Sequence, residues 1–163
     1  PGFIELVEET RPDQCTLVPD GDDQLTSDHG FDLTQSGDAL APVIQRLQSQ
    51  GMRVSLFMDP DLTQIELAAK IGADRIELYT GPFAAAWGAD ALEGIFQQHL
   101  AAAQLATSLG MGVNAGHDLN LDNLAKFASI PALLEVSIGH AFTVDSLAMG
   151  MANAVRAYKE LLS

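Results

Sequence analysis

A single cysteine, Cys15, among 163 residues excludes an internal disulfide, and its place in the apolar run 15–18 reads as a buried strand position. A reducing cytoplasm is the expected compartment. Positive charge is scarce too: eight Lys and Arg stand against 22 Asp and Glu, a net charge of −14 that repels nucleic acid and anionic membrane surfaces. Neither is expected as a partner. No stretch reaches the roughly 18 apolar residues of a membrane span, and no basic segment followed by an apolar core opens the chain. It opens with Pro1 rather than Met, so the sequence reads as processed, engineered or partial. Aromatic content is only 6%, which with the acidity could suggest disorder, but 47% apolar residues and a clear periodicity argue for a packed core. Nucleotide-binding turns of the G-x-G-x-x-G or P-loop kind are absent, as are H-x-H and H-x-x-x-H pairs.

What is present is an alternation of short apolar runs with longer stretches of helical period, the pattern of βα units on a parallel sheet. The expected strands are Cys15–Val18, Val54–Met58, Arg75–Tyr79, Gly112–Ala115 and Leu134–Ile138. Between them, Asp61 with Gln64 has the spacing of a capping box before Leu62, Ile65 and Ala69, closing at Gly72. Asp90 with Glu93 repeats that start signal before a long helix ending at Gly110. Further helices are expected over Phe3–Glu9, around Ala39–Gln50, from Asn120 to before Pro131, and as one final helix from Thr143 through Tyr158. The first strand reaches its helix through a long polar connection, Asp20–Ser36, and long loops in compact domains are commonly functional. No linker or repeat divides the chain, so residues 1–163 read as one domain.

Consecutive βα units leave an open doubly wound sheet or part of a closed barrel. Polar residues just past the strand ends, at Pro19–Asp20, Asp59, Thr80–Gly81, Gly116–His117 and Gly139–His140, favour the rim of a barrel. The expected class is therefore α/β, a (β/α)8 TIM barrel of which this chain covers about five βα units, strands four to eight. The remaining N-terminal strands are missing, and Phe3–Glu9 enters Cys15 as a helix with no strand before it.

Several residues stand out chemically. Glu77 lies mid-strand, where an ionised carboxylate is costly unless paired, for instance with Arg75, or employed in catalysis. His117 follows Gly116, read as a glycine that turns the chain sharply off its strand, and an imidazole's ordinary pKa of about 6.5 suits proton transfer near neutrality. Gly139–His140 repeats the Gly–His pair one unit later. Neighbouring turns of this kind, each leading into a helix, suit a phosphate held by backbone N–H groups, which the acidity of the chain otherwise disfavours. His99 reads as a surface or interface residue and His29 as solvated. Asp20, Asp22, Asp23 and Asp28 resemble a calcium loop only loosely. No metal and no cofactor is expected.

The strings Thr16–Asp20, Val54–Asp59, Ile76–Gly81, Val113–Asn120 and Val136–His140, in order over nearly the whole chain, resemble the pyridoxine 5′-phosphate synthase family. The resemblance implies a cytoplasmic (β/α)8-barrel transferase, commonly a homo-octamer, that condenses 3-amino-2-oxopropyl phosphate with 1-deoxy-D-xylulose 5-phosphate to pyridoxine 5′-phosphate, phosphate and water. It implies that His117 is a proton donor and that Glu77 stabilises charged states. Asp118, Gly139 and His140 would contact the aminoketone phosphate, and Thr26 the deoxyxylulose phosphate. Two departures matter. The position after the catalytic-type His is often Gly and here is Asp118, where a carboxylate suits a phosphate only if the backbone N–H makes the contact. The family's first strands, with their Asp–His pair, second catalytic His and catalytic Glu, are not in this chain, so inactivity of the chain alone is expected. The competing expectations are another phosphate-binding barrel, such as a metal-dependent aldolase or epimerase, and a non-catalytic assembly module.

Overall fold

The computed structural model describes residues 2–21 and 23–162, so Pro1 and Asp22 lie outside the described residues. Thirteen elements follow in order: α1 (Phe3–Thr10), β1 (Gln14–Leu17), α2 (Leu33–Gln48), β2 (Arg53–Met58), α3 (Leu62–Lys70), β3 (Arg75–Tyr79), α4 (Gly81–Ala85), α5 (Leu92–Ser108), β4 (Gly112–Gly116), α6 (Leu124–Ala128), β5 (Leu133–Ser137), α7 (His140–Met149) and α8 (Met151–Glu160). The five strands form one sheet in sequence order, and every neighbouring pair is parallel. Each of β1 to β4 thus feeds a helical crossover that returns the chain beside it, the arrangement expected of consecutive βα units.

The two faces of the sheet differ. Because side chains alternate along a strand, Leu17, Leu56, Met58, Ile76, Leu78, Val113 and Ala115 share the face that carries the buried core, together with Ile44, Leu47, Ile65, Ala68, Leu124 and Phe127 from the helices. Full burial of each large side chain there contributes about 1.5–3 kcal/mol. The register Phe57↔Glu77↔Asn114↔Glu135 places the intervening positions on the other face, which is mostly polar and carries Thr16, Arg53, Ser55, Arg75, Glu77, Asn114, Glu135 and Ser137 beside Phe57 and Tyr79. At the last strand the register slips between Val113 and Asn114.

Five sequence expectations are corrected. His99 is fully buried, with Nδ1 2.8 Å from the Ile95 carbonyl oxygen and Nε2 3.0 Å from that of Tyr79. It falls on the stripe Phe96, His99, Ala103, Ala106 that α5 buries, and the small alanines draw the helix close to the sheet. The final helix is two, since Gly150 breaks it with φ 85° and ψ 139°. Asp61 does cap α3 by accepting from the Gln64 N–H at 3.0 Å, but the Gln64 side chain accepts from the Leu33 N–H instead of reaching back. Asp90 caps nothing, because α5 starts at Leu92 behind Ala91 without a side-chain cap. The helix expected around 39–50 begins already at Leu33, where Asp32 accepts from the Thr34 N–H at 3.1 Å, which shortens the polar connection.

Candidate active site

The C-terminal ends of the strands surround a cleft of about 810 Å³ lined by Thr16, Val18, Thr26, Ser27, Phe57, Glu77, His117, Asp118, Ser137, Ile138, Gly139 and His140. All six residues singled out by sequence, namely Thr26, Glu77, His117, Asp118, Gly139 and His140, are brought together in it.

Glu77 stands in the middle of β3 and is 8% exposed. Its carboxylate accepts from the Thr16 hydroxyl at 3.1 Å. Arg75 is not its partner: that guanidinium reaches Asn114 Oδ1 at 2.9 Å and forms an ion pair with Glu135. Burial pushes the Glu77 carboxyl above the usual carboxylate range, opposed by the hydroxyls of Thr16 and Ser137 and by the nearby His117, and reinforced by the charge of Glu135. A buried carboxyl without a cation beside it holds its proton more readily than an exposed one, and such environments recur where a carboxyl takes part in proton transfer or charge stabilisation.

Gly116 plays a different part from the one its sequence suggests. It ends β4 in ordinary strand conformation, and a Cβ built on it would collide with Glu77 Oε1 and sit 3.1 Å from Ser137 Cβ. Glycine therefore makes room for the Glu77 carboxylate. The sharp turn falls on the next two residues, where His117 has φ 91° and Asp118 φ 58°. Left-handed backbone at non-glycine residues costs of order 1–3 kcal/mol each and persists only when surrounding groups hold it. Here the Thr80 hydroxyl donates to the carbonyls of both Gly116 and His117, and the Asn123 amide donates to the Asp118 carbonyl at 3.2 Å.

The turn aims the His117 ring into the cleft. Its Nε2 lies 2.8 Å from Thr26 Oγ1, on the loop that leaves β1, and its Nδ1 lies 3.1 Å from Asp118 Oδ2. The Tyr79 ring meets it edge-on, with centroids 5.3 Å apart, and Tyr79 in turn packs on Phe57. Across the cleft, Gly139 precedes α7 and His140 is its first residue, with no side chain capping the helix. Gly139 and His140 line the cleft, and uncapped N–H groups at a helix start favour an anion.

The loop that carries Thr26 is tied to the rim by Gly30 N–H donating to Asp59 Oδ2 at 3.0 Å and by Phe31 N–H donating to the Phe57 carbonyl at 3.0 Å. Gly30 is packed so closely on Met58 and Asp59 that a Cβ would overlap their backbone. His29 stays outside the cleft, exposed, 2.5 Å from Asp28 Oδ1, a contact that raises its imidazole above the usual range. Among the described residues, no group of three or more His, Cys, Asp and Glu is placed to hold a metal ion, and no helix is long and apolar enough to cross a membrane.

Thr16, Ser137 and Tyr79 were not singled out by sequence, and Thr80 only as a polar residue past its strand end. For Thr16 and Ser137 a signal existed: once the strand registers are known, both fall on the polar face that carries Glu77. Thr80 and Tyr79 act through contacts between strand ends that no local pattern displays.

Comparison with known proteins places this geometry. The chain is 49% identical over 162 residues to a pyridoxine 5′-phosphate synthase of Porphyromonas gingivalis, covering 99% of this chain and 68% of that protein. It is 50% identical to the enzyme of that name from Xanthomonas axonopodis pv. citri, covering 99% of this chain and 64% of the relative, and 48% identical to that of Xylella fastidiosa, covering 99% and 62%. The chain thus spans about two thirds of the length of these relatives. In fold it resembles a chain of the crystal structure of the Amycolatopsis orientalis BexX/CysO complex, with a TM-score of 0.58 at 15% identity over 97% of this chain and 59% of that one. The family model described as pyridoxal phosphate biosynthesis protein PdxJ matches residues 1–163, and the chain belongs to that family.

Proposed function

We propose that this chain is the part of a pyridoxine 5′-phosphate synthase that carries strands four to eight of a (β/α)8 barrel, and that the whole protein condenses 3-amino-2-oxopropyl phosphate with 1-deoxy-D-xylulose 5-phosphate. The observation that carries the reading is the convergence of Glu77, His117, Thr26 and the Gly139–His140 helix start on one cleft. In this scheme the α7 N-terminus takes the phosphate of the aminoketone through backbone N–H groups, with the Asp118 N–H as a further donor. Thr26 meets the second substrate, His117 exchanges protons with the reacting atoms at Nε2, and Glu77 stabilises positive charge developing beside it. One positioned acid or base typically contributes about 10²–10⁴ in rate, and holding two phosphorylated substrates in a fixed geometry contributes at least as much.

The barrel reading is supported by the polar face of the sheet, which makes sense as a lining rather than an exterior. It also requires three further strands outside this sequence. The 163-residue chain alone is then inactive, because the first strands bring other acid–base groups and close the cleft. The test is an assay of the full-length protein and of this chain with both substrates. Turnover by the full-length protein, none by the chain, and a loss of at least about 100-fold in His117→Asn are the expected results. Turnover by the isolated chain, or an undiminished rate in His117→Asn, would overturn the assignment.

A further inference from the structure

We propose that Asp118 is a positioning residue: its carboxylate selects the Nδ1–H tautomer of His117, so that the Nε2 lone pair faces the cleft and the Thr26 hydroxyl donates to it. The reasoning runs through hydrogen-bond roles. Asp118 Oδ2 lies 3.1 Å from His117 Nδ1, and an ionised carboxylate can only accept, so Nδ1 must carry the hydrogen. A neutral ring then has a lone pair on Nε2, and the Thr26 hydroxyl 2.8 Å away must turn its own hydrogen toward it.

Consecutive side chains along a strand point to opposite faces, but β4 ends at Gly116. The two positive φ values at His117 and Asp118 fold the carboxylate back beside the preceding ring, and the Thr80 and Asn123 bonds to the carbonyls of Gly116, His117 and Asp118 hold that fold. The other groups facing the ring are the Tyr79 ring, roughly perpendicular to it, and the Glu77 carboxylate from β3, and neither makes a hydrogen bond to Nδ1. Asp118 is therefore the group placed to decide the tautomer.

The consequence rests on the reading of His117 as the acid–base group. A substrate group X–H that displaces the Thr26 hydroxyl meets a lone pair, and its proton passes to Nε2, leaving X⁻ and an imidazolium whose new charge sits beside Asp118. In the reverse direction the same Nε2–H is returned to the product. The Nδ1 proton stays with the Asp118 pair throughout. The opposite tautomer would present an N–H to the cleft and could accept nothing there.

Long-range ¹H–¹⁵N spectra of the full-length protein, labelled at histidine, read the tautomer directly at a pH about two units above the ordinary imidazole value of about 6.5. We expect His117 with hydrogen on Nδ1. Asp118→Gly, which suits the left-handed backbone and so keeps the fold, should shift the ring to the Nε2–H form, whereas Asp118→Asn, whose amide oxygen still accepts, should keep Nδ1–H. In the condensation assay Asp118→Gly should lower kcat by at least about 10-fold with KM within about twofold, as expected for a group that acts through the base, and Asp118→Asn should retain more of the rate. An Nε2–H ring in the parent protein, or no change in Asp118→Gly, would overturn the proposal. The expected tautomers without any condensation activity would leave it standing and sink the functional reading instead.

Discussion

Two glutamates stand on the same face of the same sheet, and their environments are opposites. Glu77 in β3 is 8% exposed, receives only hydroxyls, and is pushed toward its neutral form. Glu135 in β5, in register with it through Asn114, has a side chain 49% exposed and pairs with Arg75. Of the two guanidiniums on that face, Arg53 turns to Gln14 and Arg75 goes to the carboxylate that needs it less. An ion pair at a half-exposed position contributes little, while an unpaired buried carboxyl is a cost that a fold retains where the group is used. The difference separates a carboxylate that pairs across the sheet from one that lines the cleft.

The largest effect should come from erasing each charge in turn. Glu77→Gln keeps size and hydrogen-bonding reach but cannot stabilise developing positive charge, and we expect it to lower kcat/KM of the full-length protein by about 10²–10³, the scale of one well-placed electrostatic group. Glu135→Gln should leave the rate within about threefold. Equal losses in the two variants would erase the distinction between them.

A smaller effect tests the room made for Glu77. Gly116→Ala places a methyl where the Glu77 carboxylate and Ser137 Cβ lie, and overpacking of this kind costs about 1–3 kcal/mol. Gly139→Ala meets no atom within 4 Å and has no positive φ to strain it, so its stability should lie within about 0.5 kcal/mol of the parent. Urea titration of both variants gives the comparison, and a Gly116→Ala protein as stable as Gly139→Ala would show that the carboxylate does not occupy that space.

How far the sequence revealed this depends on what each feature rests on. The strands were legible because each is a short apolar run bounded by turn residues: Arg75–Tyr79 falls where expected and the others shift by a residue or so. The Gly–His pairs and Glu77 were legible as polar residues at strand ends or within strands. The purpose of Gly116 was not, since a glycine before a histidine reads as a turn and only the register with Glu77 reveals the steric need. α4 spans Gly81–Ala85, too short for any period to show. The burial of His99 had a signal in its spacing from Phe96, Ala103 and Ala106, but alanines weigh little on an apolar scale and an imidazole among them reads as a surface or interface residue. The choice of Arg75 between two glutamates depends on long-range geometry and had no signal at all.

The smallest effect is one of sign. Burial raises the Glu77 carboxyl in the folded protein above the value of about 4.3 that it has in an unfolded chain. Below about 4.3 both states hold the proton and its burial carries no charge penalty. As pH rises through the window between that value and the raised folded one, the unfolded chain releases its proton first, the folded state binds more protons, and stability falls. Above the window the penalty is complete and constant. Glu77→Gln never bears it, so the stability of Glu77→Gln relative to the parent should climb across that window and hold its gain above it. Glu135→Gln should do the reverse at pH 7, losing at most about 1 kcal/mol because it strips Arg75 of a half-exposed partner. Chemical denaturation of the parent and both variants between pH 4 and pH 8 reads the two signs. A Glu77→Gln protein that gains nothing on the parent as pH rises would mean that Thr16 and Ser137 solvate the carboxylate as well as water does, and that the two glutamates differ in position but not in cost.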